Sequence, residues 1–306
     1  MANTAKGGVR VSKKDKIISE KDENSALMRK MKLLDALSAF VISLIIFAIA
    51  YGLLLKYIGV FAIFGACILS VCGVFVLMRL TGLKSSSVIK FSAPKKSETF
   101  GAALILGASL IISIPPILFS QLIAPRLAAT SFNIYSIVGP SGAFGAILAV
   151  IFIALCENFL FDGYIYSRLS AVKSVFLRGV LISLMAAVMR FDVYAFASMF
   201  IASAAAFIAR RETGSLTLPL VIRLFFVSYV MATSALSASA SELVGEAMGA
   251  VQIIGLTLIF LGMALPVATL AFAAFGKLRQ NGKIIGFSVG VLALILIAAG
   301  CGVSSL

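Results

Sequence analysis

Long apolar stretches separated by short polar breaks run along the chain from residue 36 to residue 299. The longest pass the roughly 18–20 residues a helix needs to cross a bilayer core. They are continuous and rich in Leu, Ala and Ile, without the every-second-residue alternation of a membrane barrel, so they predict helices. The pattern gives nine spans, at 36–55, 58–78, 100–122, 143–169, 175–189, 193–208, 216–235, 247–275 and 284–299. The number is eight if one span is re-entrant or if 193–208 does not cross fully. Lys56-Tyr57 marks a tight turn, and Pro115-Pro116 predicts a kink because two backbone donors are missing there. The expected fold class is an all-α polytopic membrane protein, a bundle of eight to nine transmembrane helices. Its expected divisions are a disordered basic cytoplasmic tail (1–34), N-terminal transmembrane helices (35–135), a central core (136–240) and C-terminal transmembrane helices (241–306).

Composition sharpens this. Apolar residues make up 61% of the chain, charged residues only 12%, and the mean hydropathy is +1.11. A soluble chain carries about twice that charge. The net charge of +14 does not mark a nucleic-acid binder, because it sits in short segments beside the spans. With the N-terminus inside, 22 of the 26 Lys and Arg fall on the inner side, as the positive-inside rule requires. The partner this implies is the lipid bilayer, in the cell membrane with a cytoplasmic N-terminus; the tail's basic residues also suit anionic lipid. The sequence has no histidine, which removes most zinc and general-base chemistry and any Ser-His or Cys-His pair. Cys67, Cys72, Cys156 and Cys301 form no CxxC pair and read as small buried apolar residues. Gly245-xxx-Gly249 has the spacing of a close helix contact, common in a glycine-rich membrane chain. No phosphate-binding glycine loop, haem or flavin motif occurs, so no cofactor is expected.

Five ionisable residues interrupt the apolar pattern in spans four to seven: Glu157, Asp162, Arg190, Asp192 and Arg223. A charge in mid-membrane costs about 2.5–3.5 kcal/mol on insertion scales. Buried ions must therefore be paired. The economical arrangement sets Glu157 against Arg190, Arg223 or both, with Asp162 taking whichever arginine remains. Asp192 fits the outer interface.

The stretch from Glu157-Asn158 through Asp162-Gly163-Tyr164 to Arg168-Leu169 resembles the first motif, Glu-Glu-x-x-x-Arg, of the CAAX protease and bacteriocin-processing (CPBP, Abi-type) membrane proteins. The span ending at Arg190 is similar to the one carrying the second motif, Phe-x-x-x-His. Arg211-Glu-Thr-Gly214-Ser215-Leu-Thr-Leu-Pro219, followed by Arg223, is similar to the segment leading to the third, His-x-x-x-Asn. The resemblance implies a CAAX-protease-like core at 136–240. It also implies a water-activating role for Glu157, with the two His positions as metal ligands or transition-state donors. This chain departs from the pattern at nearly every motif position. Asn158 replaces the second Glu, Asp162 the Arg, Ala186 the Phe, Arg190 and Arg223 the two His, and Val227 the Asn.

These residues form no metal site, since Arg is not a ligand at neutral pH. Glu157 flanked by two guanidinium groups is a weakened base, and Cys156 lacks a His partner. The first reading is therefore a catalytically inactive member of the fold, with Glu157, Asp162, Arg190 and Arg223 as a buried ion-pair core. It would act as a binding, immunity or regulatory partner of another membrane protein or peptide. The alternative is an active intramembrane endopeptidase using Glu157 with metal-free chemistry. A transporter with a polar mid-membrane site is the third, although no inverted repeat is visible.

Overall fold

The structure is a computed structural model and describes residues 13–127, 142–190, 193–230, 232, 250–276 and 282–304. Within these residues the chain is helical, with no strand. Helix α1 (Lys13–Ile58) leads through a 3-10 turn (Gly59–Phe61) to α2 (Ala62–Leu80), the short α3 (Ser85–Val88) and α4 (Lys96–Leu127). Then come α5 (Gly142–Glu157), a π-helical segment (Asn158–Ile165) and α6 (Tyr166–Leu169), which continue one another as a single rod. The rest are α7 (Val175–Val188), α8 (Val193–Thr213), α9 (Thr217–Val230), α10 (Ala250–Ala274) and α11 (Gly282–Ser304). Five stretches are long and apolar enough to cross a membrane: Lys30–Ile58, Ala62–Leu80, Lys96–Pro116, Phe144–Leu169 and Val251–Ala274. Val175–Val188, Thr217–Val230 and Ser288–Ser304 are shorter apolar helices. This is an all-α polytopic membrane fold.

Several boundaries differ from the sequence expectation. Helix α1 begins at Lys13, within the polar tail, and is continuous with the span. No Gly or Pro interrupts residues 13–51, and Lys, Glu, Leu and Met there are good helix formers. The turn after the first span falls at Gly59 rather than at Lys56-Tyr57. Gly59 has φ +57°, a conformation that glycine adopts without the Cβ clash. Pro115 and Pro116 lie inside α4, which runs on to Leu127. Asp192, Gly245 and Gly249 lie outside the described residues. The cysteines divide: Cys67 and Cys156 are buried, whereas Cys72 and Cys301 are exposed, facing away from the bundle interior.

The rod Phe144–Leu169 is the most enclosed of the five long stretches, and two apolar clusters meet on it. One joins Val74, Met78, Leu160, Phe161, Tyr164, Ile182 and Ala186, between α2, the π segment and α7. The other joins Ile63, Cys67, Ile153, Cys156 and Val227, between α2, α5 and α9. A third cluster, including Ile105, Ala205, Ile222, Phe226 and Ala271, seats α4 against α8, α9 and α10. Burial of apolar surface does not drive helices together in lipid, so close packing must do so. The α10–α11 pair shows how. A Cβ placed on Gly300 would stand 2.5 Å from the Gly255 carbonyl oxygen, and one on Gly262 would stand 2.8 Å from the Ala293 carbonyl oxygen. Here the two backbones touch.

Replacing Gly300 by Leu should therefore break this contact, at about 1–3 kcal/mol or more, and lower the melting temperature in detergent. Gly286→Leu on the same helix, with nothing within 4 Å of its added Cβ, should leave the melting temperature unchanged.

Candidate functional site

The site is built by the change of helix type after Glu157. Glu157 is the last residue of α5, and Asp162 follows five positions later. Around an α-helix such a pair points about 140° apart. A π-helix closes its hydrogen bonds from i to i+5, so it brings the two onto one side. Both carboxylates then reach the same guanidinium.

Arg223, on α9, is fully buried and takes that place. Its Nε donates to Asp162 Oδ2 at 2.5 Å and its Nη1 to Glu157 Oε2 at 3.1 Å. Nη1 also reaches Ser203 Oγ on α8 at 3.4 Å, and the guanidinium carbon lies 5.5 Å from the centroid of the Phe161 ring. Arg190, just past the end of α7, approaches the other Glu157 oxygen, Nε to Oε1, at 2.6 Å. That contact is a close ion pair whose N–H is not directed at the oxygen, because Nε and Nη2 of Arg190 have no hydrogen-bond partner. Glu157 is thus held on both oxygens. Asp162 has no arginine of its own; it shares Arg223 with Glu157. The four charges sum to zero. Asp162 Oδ1 and Arg223 Nη2 are buried without a partner.

The other motif positions are also in place around this cluster. Asn158 is buried and donates through Nδ2 to the Leu216 carbonyl at 3.2 Å, leaving its Oδ1 without a partner. Val227 is buried one turn beyond Arg223, in the apolar cluster with Cys156 and Ile153. Beside Glu157 and Arg190 lies a cavity of about 30 Å³, lined by Phe47, Ile63, Cys67, Cys156 and Met189. That is room for one or two waters.

Two arginines that the charge pattern assigns to loops are in fact buried, and this corrects the sequence reading. Arg210 donates to three backbone carbonyls: Asp162 at 3.1 Å, Gly214 at 2.5 Å and Val88 at 3.2 Å. The Asp162 carbonyl is available because the Tyr166 N–H passes over it, bonding Phe161 and Gly163 instead. Arg168 donates to the Thr81 carbonyl at 3.1 Å and stands 3.6 Å from Asp35. Ser215 ties residues 90–92 to the start of α9, and Gly214, at φ +65°, makes the turn between α8 and α9. The conspicuous Arg-Arg-Glu-Thr-Gly-Ser segment therefore fastens loops to the back of the π segment. Loop charge carries no sign of this in the sequence; only the motif resemblance draws attention to the segment. Ser203 had no signal at all.

The family model of Rce1-like type II CAAX prenyl endopeptidases matches residues 139–229. Those residues are an Rce1-like segment. It spans α5 to α9 and contains all four ions of the cluster, in agreement with the motif resemblance. No curated protein and no solved structure matches the chain. Residues 139–229, about a third of the chain, are thus similar to the Rce1-like CAAX endopeptidases, and the metal expected there can be tested against their side chains. They do not fit it. Both carboxylates of the Rce1-like segment's centre face guanidinium groups, and among the described residues no three His, Cys, Asp or Glu side chains come together as metal ligands. Two fixed cations would repel a metal ion placed there.

Arg223→Met leaves Asp162 without a cation and Glu157 with one, and should destabilise the protein by about 3–5 kcal/mol. Adding Asp162→Leu to that variant should recover much of the loss, read as a double-mutant cycle on unfolding.

Proposed function

We propose that the protein is a non-catalytic member of its family, a pseudoprotease whose former reaction centre is a structural ion-pair core. The observation that carries this reading is that Arg190 and Arg223 engage the two oxygens of Glu157 separately. A carboxylate acts as a general base only when an oxygen is free to take a proton from water and its affinity for that proton is adequate. Both oxygens here are occupied by fixed cations. The motif's second Glu and its Asn are Asn158 and Val227; Asn158 is committed to the Leu216 carbonyl, and Val227 has no polar atom.

On this reading the chain sits in the cell membrane as a multi-pass protein with its N-terminus in the cytoplasm, which the inward bias of Lys and Arg supports. It works by holding another membrane protein or peptide within the bilayer, in an immunity or regulatory role. The second reading, an endopeptidase using Glu157 without metal, is favoured by one observation. Arg190 lines the cavity, its Nη2 has no hydrogen-bond partner, and a guanidinium can stabilise an oxyanion.

The two readings separate in a cleavage assay with a farnesylated peptide and the purified chain in vesicles. The expected result is no cleavage above that of Glu157→Gln, and none from Arg223→His alone. Cleavage by the natural chain that Glu157→Gln abolishes without loss of folding would overturn the proposal.

A further inference from the structure

Helix α1 turns one face to the bundle and leaves the opposite face open. Ala36, Ala39, Ser43 and Ala50 are buried. Stepping alternately four and three residues from Leu27 reaches Met31, Leu34, Ser38, Val41 and so on to Gly52, and every residue on that path is exposed. At about 100° per residue the two sets lie on opposite sides of the helix. A period of 3.5 residues kept over this length is the pattern of a left-handed coiled-coil seam. Ser38, Ala48 and Gly52 on the seam are small, which lets two backbones come close within a membrane. Lipid accounts for only part of this face. Counting back from Ile58, about 20 helical residues fill the hydrocarbon core, which then ends near Ser38. Leu27, Met31 and Leu34 lie beyond that point, among Lys30, Lys32 and Asp35, yet are 57%, 54% and 60% exposed. Large apolar side chains grouped on the water side of the bilayer mark a surface that another protein covers.

We propose that this face docks on the same face of a second copy of the chain, as a parallel α1–α1 pair that runs through the bilayer and on into the water beyond it. Two copies inserted the same way bring their first helices together in parallel, about a two-fold axis along the membrane normal. Charge fixes the register. Lys30 stands one residue before the seam position Met31, and Asp35 stands one residue after the seam position Leu34. In a parallel pair, residues so placed, five apart in the chain, meet across the seam. Lys30 of each copy therefore faces the partner's Asp35, an opposite charge, and symmetry makes the contact twice. Lys30 is exposed, and the Asp35 side chain is 34% exposed, with Arg168 at 3.6 Å from one of its oxygens. The described bundle packs on the other side of α1 and stands clear of this approach. The interface is independent of whether Glu157 retains any proteolytic role, because none of the four ions of the buried cluster lies on α1.

The test uses the full chain in vesicles at a low protein-to-lipid ratio, with its stoichiometry read by single-molecule photobleaching. The expected result is two bleaching steps. Cross-linking then locates the contact, after the exposed Cys72 and Cys301 are changed to Ser. Under a mild oxidant, Leu34→Cys and Met31→Cys should each give a disulfide-linked dimer. Lys32→Cys, at the same depth on the bundle side of α1, should stay monomeric, as should Phe176→Cys, whose position on α7 is 81% exposed. Lys30→Glu should weaken the dimer about fivefold, the worth of two exposed ion pairs, and adding Asp35→Lys should restore it. Single-step bleaching of the natural chain, or cross-linking from Lys32→Cys as efficient as from Leu34→Cys, would overturn the proposal. The bleaching measurement needs no variant to fold.

Discussion

Arg223 is one buried cation shared by two buried anions, and much of the fold is arranged so that it can be. Its stem comes from α9, its partners from the junction of α5 and the π segment, its weaker contact from α8. Left alone in lipid, any of these ions would be costly. Together with Arg190 they are neutral, and each helix that supplies a charge is committed to the position where that charge is met. Tight apolar packing alone would tolerate sliding between such helices far better than an ion cluster does. The cluster therefore defines register as well as contributing energy, a use of buried polar groups that is well attested in helical assemblies.

A second set of arginines fixes the same rod from behind. Arg210 and Arg168 donate to backbone carbonyls of loops, a helix end and the π segment itself rather than to carboxylates in the core. The front of the π segment is held by charge pairing and the back by carbonyl contacts. The guanidinium suits both tasks because it is planar, carries five donors and keeps its charge.

The spans were legible in the sequence because hydropathy and the length of apolar runs are direct consequences of the bilayer's thickness. Ends were less legible: Gly59 and the helical start at Lys13 depend on local backbone freedom, which hydropathy does not see. The partnership of Glu157 with Arg190 and Arg223 could be written down as an economy of charge, but not the sharing of Arg223 with Asp162. That sharing needs the π segment, and its residues, Asn158 to Ile165, are as apolar as an ordinary helix. Arg168 and Arg210 were illegible for a related reason. Counting positive charges says on which side of a membrane a loop falls, and nothing about whether the side chain folds back to bond a carbonyl. Cys67 and Cys156 lie on different helices with no shared spacing, so only the packed bundle puts them in one apolar cluster.

The π segment has a consequence for the whole rod. A helix that winds more loosely for eight residues loses phase relative to the α-helix that precedes it. The face that α5 turns toward lipid is therefore not the face that α6 turns the same way. A single hydrophobic stripe drawn along residues 144–169 would be correct at one end and rotated at the other. The rod is, in effect, two helices spliced out of register, and the splice lies where the charges are.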